Sequence, residues 1–271
     1  MISFPNAKIN IGLNVVDKRA DGYHNLETVF FPVGWKDVLE VIPADKTSLT
    51  LSGIPIEGDS SKNLVMKALN LLKLDFPVCE LAVFLQKNIP FGAGLGGGSA
   101  DGAAMLKLLN NYFALDLSDK QLATYAVRLG ADCPFFIYNK PMFASGIGDV
   151  LEPIEVTLGE NYLVVVKPDV AVSTAEAYAM VTPTHPLYSL KELIRQPIEQ
   201  WKESIKNDFE ASVFAKHPSI GQIKSELYAL GALYASMSGS GSAVYGIFPP
   251  DVQPSFNFTG SVVWSDHKNY I

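Results

Sequence analysis

Pro90-Phe91-Gly92-Ala93-Gly94-Leu95-Gly96-Gly97-Gly98-Ser99-Ala100 puts five glycines into the seven positions from 92 to 98, between a strand-like stretch and a helical one. Glycine admits positive φ and lets backbone approach a ligand closely. The start of the following helix adds N–H groups at the positive end of its dipole, so the two together suit a phosphate. Ser99 is placed to cap that helix, bind a phosphate oxygen or face a magnesium ion. Gly92, Gly94 and Gly97 also match G-x-G-x-x-G, but about 20 residues on, where a dinucleotide fold needs a strand ending in an acid, Asp116–Gln121 runs into another helix. The G-K-[ST] ending of a P-loop is absent, since Ser99 follows Gly98. A purely structural glycine turn is the other reading, and the backbone entropy of five glycines weighs against it.

Other residues could carry chemistry, each with an ordinary alternative. Asp132, between Leu129-Gly130 and Pro134, projects its carboxylate from a turn or caps a helix. Lys8 stands alone among apolar residues of a first strand, where a lysine often faces solvent. Tyr23 and His24 end a turn and offer a ring face and a two-sided hydrogen-bonding edge. Ser238-Gly239-Ser240-Gly241-Ser242 reads as a hairpin turn or a second ligand loop. Asp101, in the first helical turn after the glycines, complements the helix dipole. His185, His217 and His267 share no metal-ligand spacing, and Cys79 and Cys133 are too few for a zinc site or a disulfide framework.

The elements that must position these groups follow from pattern. Ile9–Val16 and Thr28–Val33 are strand-like around the turn-rich Asp17–His24; Asp37–Ile42 and Ser48–Leu51 suggest a hairpin. Lys62–Leu74 has helical spacing, and Glu80–Gln86 alternates like a strand into the glycine loop. Ser99–Phe113 and Ser118–Leu129 read as helices, the second with Ser118 as N-cap, Gln121 completing a capping box and Gly130 past its end. Tyr162–Val166 is a buried strand. Helices follow between Ser189 and Leu230, with new starts at Pro197 and Pro218, and strands near Ala232–Met237 and Ala243–Phe248 flank the Ser/Gly turn. The order implies an α+β protein of two domains, 1–155 and 156–271, dividing near Leu151–Gly159.

The chain of 271 residues is 48% hydrophobic and 18% charged, with a formal charge of −7 and a pI near 5.1. That balance argues against a nucleic-acid-binding face while allowing a local basic pocket. The first residues lack a signal-peptide pattern and no apolar run approaches a membrane span, so the expectation is a soluble cytoplasmic protein with no membrane partner. The number of subunits, one or two, is not legible.

Pro90–Ala100 fits position by position the P-x-x-x-G-L-G-G-G-S-[SA] loop of the GHMP kinase superfamily, which the sequence resembles there. Ala7-Lys8-Ile9-Asn10-Ile11-Gly12-Leu13, Arg19-Ala20-Asp21-Gly22-Tyr23-His24 and Leu26-Glu27-Thr28 resemble one branch of it. That branch phosphorylates a cytidine diphosphate-linked sugar alcohol of non-mevalonate isoprenoid synthesis. Asn63-Leu64-Val65, Leu129–Pro134 and Ser238–Ser242 match further, in order, so the likeness runs from about Ala7 to Phe248. It departs at Lys62, where an aspartate is common, in 183–200 and in 251–271.

The resemblance implies an N-terminal ribosomal-protein-S5-like domain that binds ATP and the acceptor, and a C-terminal ferredoxin-like α/β plait. It implies ATP as co-substrate with Mg2+, whose protein ligands stay unknown, and transfer to a 2-hydroxyl of the small-molecule acceptor. Asp132 would be the catalytic base with Lys8 beside it, keeping it ionised. Pro90–Ala100 and Asn63 would bind ATP; Asn10, Tyr23, His24, Thr174 and Tyr178 would bind the acceptor, two aromatic walls enclosing its cytosine. A kinase of the superfamily acting on another small alcohol, and a non-catalytic ligand sensor on the same fold, are the rival readings.

Overall fold

The computed structural model describes residues 1–55, 59, 62–252 and 255–266. Its strands are β1 (Ile2–Ser3), β2 (Asn6–Lys18), β3 (His24–Lys36), β4 (Val38–Pro43), β5 (Ser48–Gly53), β6 (Leu81–Lys87), β7 (Met142–Ser145), β8 (Val150–Pro153), β9 (Tyr162–Pro168), β10 (Tyr234–Met237), β11 (Val244–Phe248) and β12 (Ser261–Asp266). Its helices are α1 (Leu64–Lys73), α2 (Gly97–Tyr112), α3 (Asp119–Val127), α4 (Cys133–Tyr138), α5 (Thr174–Tyr178), α6 (Leu190–Leu193), α7 (Ile198–Ser204), α8 (Phe209–Lys216) and α9 (Pro218–Ala229). Contacts divide the chain into two compact units. The first is Met1–Lys8, Val33–Phe91 and Gly96–Lys140; the second is Ile9–Pro32, Gly92–Leu95 and everything from Pro141.

The first unit is built on the sheet β1-β4-β6-β5. Leu81, Val83, Leu85 and Lys87 alternate into the interior, which gives β6 a fully buried face and a central place in the sheet. It pairs antiparallel with β4 on one side and parallel with β5 on the other. Asp37–Ile42 and Ser48–Leu51 therefore do not form the expected hairpin. β5 is exposed along most of its Ser-Leu-Thr-Leu-Ser sequence and takes the edge, where a polar strand is tolerated. Val65, Ala68, Leu69 and Leu72 form the buried stripe of α1, as its spacing predicts. α3 carries the capping box: Ser118 Oγ accepts from the Gln121 N–H while Gln121 Oε1 accepts from the Ser118 N–H.

The second unit holds the antiparallel sheet β10-β11-β9-β12, and most of the sheet β2-β3-β7-β8. β9 is apolar on both faces, which suits a strand covered on both. Val164, Val166, Met237 and Val244 share one cluster with Leu13 and Val15 of β2, Phe209 and Val213 of α8, and Ile220 and Leu227 of α9. Pro197 stands at the N-cap of α7 and Pro218 opens α9, so both prolines mark helix starts. The two expected strands around the Ser/Gly turn pair antiparallel as β10 and β11, with Met237 opposite Val244.

Candidate active site

In the first unit, the chain runs on from β6 to Phe91 and re-enters that unit at Gly96, just before α2. The helix begins two residues before Ser99, so Ser99 is not its cap. The N-cap is Gly96, at φ 70° and ψ 14°, and no side chain caps the helix. Burial pushes the nearby Cys133 thiol up to about 11, with Ser99 acting in the opposite direction. Gly98 has an ordinary backbone angle, and a Cβ there would meet nothing within 4 Å. The fold itself gives no reason for glycine at 98; close approach of a ligand would.

Lys8 and Asp132 belong to the same unit. Lys8 is buried to 3% exposure and its Nζ lies 3.6 Å from Asp132 Oδ2. Burial pulls the lysine's pKa down, and the carboxylate opposes it. Asp132 occupies the N-cap position of α4 without making a capping hydrogen bond, and its side chain is 37% exposed. It thus has the position of a capping aspartate but faces a lysine and solvent. Asn63 does cap: its Oδ1 accepts from the Val65 N–H at 2.9 Å at the start of α1. Phe91 is exposed, whereas Pro90 and Ala100 are buried.

Asp101 does more than face the helix dipole. It is 2% exposed and its Oδ2 accepts from Lys87 Nζ at 2.7 Å, while Lys87 also donates to Asp37. Nothing in the sequence flagged Lys87 or Asp37, because a lysine ending a strand and an aspartate in a turn look like solvent-facing residues until burial is known.

In the second unit, Asn10 is buried. Its Nδ2 donates to Thr28 Oγ1 at 2.9 Å, and its backbone N–H donates to Ser238 Oγ at 3.2 Å. Ser238 Oγ in turn donates to the carbonyl of Gly94 at 2.8 Å. Gly94 has φ +73°, and a Cβ there would stand 2.0 Å from the Ser238 carbonyl oxygen, so only glycine fits. The Ser238–Ser242 turn is therefore a brace for Gly92–Leu95 as well as a link between strands. Asn207, also unflagged in the sequence, fixes that turn by donating to the carbonyls of Met237 and Gly239.

His24 and Tyr178 meet in this unit as stacked rings, with centroids 4.9 Å apart and planes 20° apart. Phe209 backs Tyr178 edge-on at 4.7 Å. Tyr23 is 63% exposed and forms no such pair among the described residues. Its backbone N–H donates to Asp21, which is ion-paired with Arg19. Thr174 is the exposed first residue of α5, whose N-cap is Ser173. Of the histidines, His217 pairs with Glu176 at 2.7 Å, and His267 lies outside the described residues.

No cluster of three acidic, histidine or cysteine side chains able to hold a metal exists among the described residues. No described helix is long and apolar enough to cross a membrane.

Family models for the GHMP kinase N-terminal and C-terminal domains match residues 63–140 and 189–255. A 4-diphosphocytidyl-2-C-methyl-D-erythritol kinase of Parabacteroides distasonis is 55% identical over 266 residues, covering 97% of this chain and 98% of its own. One of Bacteroides thetaiotaomicron is 56% identical over 255 residues and 93% of each chain. A crystal structure of 4-(cytidine 5'-diphospho)-2C-methyl-D-erythritol kinase superposes with a TM-score of 0.79 at 32% identity, over 91% of this chain and 90% of the other.

Proposed function

The chain belongs to the GHMP kinase family and has its two-domain α+β fold, and from that premise we propose that it phosphorylates the 2-hydroxyl of 4-diphosphocytidyl-2-C-methyl-D-erythritol with ATP. The product is the 2-phosphate and ADP, in non-mevalonate isoprenoid precursor synthesis. The substrate follows from relatives more than half identical over nearly the whole chain. The chemistry is carried by one observation: a buried lysine beside a half-exposed carboxylate that no helix cap claims.

Phosphoryl transfer requires an acceptor oxygen placed in line with the γ-phosphorus and stabilisation of the phosphoryl charge. The Pro90–Ala100 loop and the uncapped start of α2 receive the phosphates through backbone N–H groups, with Asn63 on the nucleotide side. Asp132 takes the hydroxyl proton. Lys8 stabilises charge as the proton leaves, and positioning contributes more than proton abstraction. Asn10 and Thr174 contact the acceptor. Tyr178 and His24 are already at ring-contact separation, so cytosine stacks on this pair rather than between its rings, with Tyr23 as the second wall.

No group of three acidic, histidine or cysteine side chains able to hold magnesium exists among the described residues. Magnesium would be held by the nucleotide's own phosphates, water and one or two carboxylates, its usual habit. The remaining parts of the reading are a cytoplasmic location and a domain boundary near residue 155. Family matches ending at 140 and starting at 189 support that boundary. ADP release should be measured with ATP and each of 4-diphosphocytidyl-2-C-methyl-D-erythritol, mevalonate and homoserine. Turnover with the cytidine acceptor alone supports the reading; turnover with another alcohol, or with none, overturns it.

A further inference from the structure

We propose that Lys87, clamped between Asp37 and Asp101, is a positioning residue for ATP, joining the two stems of the glycine loop and thereby setting the shape in which it receives phosphates. The inference rests on the ATP-binding role given to that loop above.

The three residues come from separate places in the first unit. Asp37 lies between β3 and β4, Lys87 ends β6 just before the loop, and Asp101 lies in α2 just after it. Asp37 Oδ1 accepts from the N–H groups of Asn88 at 2.6 Å and Ile89 at 2.8 Å, and its Oδ2 accepts from Lys87. Lys87 Nζ then donates to Asp101 Oδ2 at 2.7 Å. One ammonium thus ties the stem leading into the loop to the helix leading out of it. Gly97 allows this closeness: a Cβ there would stand 2.9 Å from Ile89 Cγ2 and 3.3 Å from Lys87 Nζ.

Stability alone does not account for the triad. Buried ion pairs are commonly matched or exceeded in stability by apolar residues of similar volume. Asp101 Oδ1 has no hydrogen-bond partner among the described residues, an expense that an apolar side chain would avoid. The ions do supply fixed directions between three backbone segments, and the loop's phosphate-facing N–H groups depend on those directions. Desolvation also pushes the Asp101 carboxyl up to about 8, against the pull of Lys87.

The test compares wild type, Asp101→Ala and Asp101→Asn for kcat, for KM of ATP and of the cytidine acceptor, and for Tm. Asp101→Ala should raise the ATP KM about tenfold and leave the acceptor KM within twofold. Asp101→Asn, whose amide oxygen still accepts from Lys87, should return the ATP KM to within twofold of wild type. An unchanged ATP KM in Asp101→Ala, or equal rises in both KM values, overturns the inference. If Asp101→Ala does not fold, the double variant Lys87→Met with Asp101→Leu decides by the same criteria. A wild-type protein that turns over no ATP overturns instead the reading on which the inference rests.

Discussion

Two lysine–carboxylate groups in the first unit are built in opposite ways. Lys8 pairs with Asp132 at 3.6 Å, and that carboxylate is 37% exposed. Lys87 meets two, both buried, at hydrogen-bonding distance. The loose pair keeps lone pairs and solvent access on the Asp132 side, which an acceptor hydroxyl needs. The closed triad spends its hydrogen bonds on backbone and on itself, which suits holding a loop and leaves no carboxylate oxygen exposed to a substrate. The two groups differ in the burial of their carboxylates, so the half-exposed one suits chemistry and the buried ones suit a scaffold.

That division can be broken at either end. The largest expected effect is on stability: Lys87→Met removes the cation and strands buried carboxyl groups, for a loss of about 3–5 kcal/mol. Urea unfolding measures it, and a loss below about 1 kcal/mol would show that the triad is not a closed unit. Next is turnover. Asp132→Asn should lower kcat by roughly 10²-fold or more, the scale of general acid–base catalysis, with ATP KM nearly unchanged and little change in unfolding. Near-normal kcat would remove Asp132 from the mechanism.

A smaller effect is expected in the second unit. Tyr178→Ala should raise the acceptor KM about tenfold, within the ~1–3 kcal/mol of a base–aromatic stack, and spare the ATP KM. Equal changes in both would contradict an aromatic wall for cytosine. The smallest effect is the pH dependence of stability. The Asp101 carboxyl is raised from an ordinary 3.8 to about 8 in the folded protein. The folded state therefore holds a proton that the unfolded chain releases, and this group's contribution to stability falls as pH rises between those values. Tm of wild type relative to Asp101→Asn should decline from pH 5 to pH 7; a constant difference would show that Asp101 is ionised throughout.

The contrast also explains what could be read in advance. Residue pattern alone located the helices over 64–73 and 119–127 and the strands around the Ser238–Ser242 turn, since apolar spacing and caps act locally. It mispaired β4 with β5, because short separation favours a hairpin and the claim of β6 to the central slot emerges only from its buried face. Lys8 and Asp132 stood out through family motifs, and the structure places them together. Lys87, Asp37 and Asn207 carried no motif: their roles come from burial and from partners distant in sequence. Tyr23, His24 and Tyr178 were legible as aromatic groups, but not the pairing of His24 with Tyr178.

On this reading the open pair serves phosphoryl transfer while the closed triad shapes the loop that holds ATP. Steady-state kinetics of Asp132→Asn and Asp101→Ala, measured side by side with the cytidine acceptor, test it most directly. Asp132→Asn should lose kcat and keep the ATP KM, while Asp101→Ala should keep most of kcat and lose ATP affinity. If both variants lose the same parameter, the two groups do one job and the distinction between them fails.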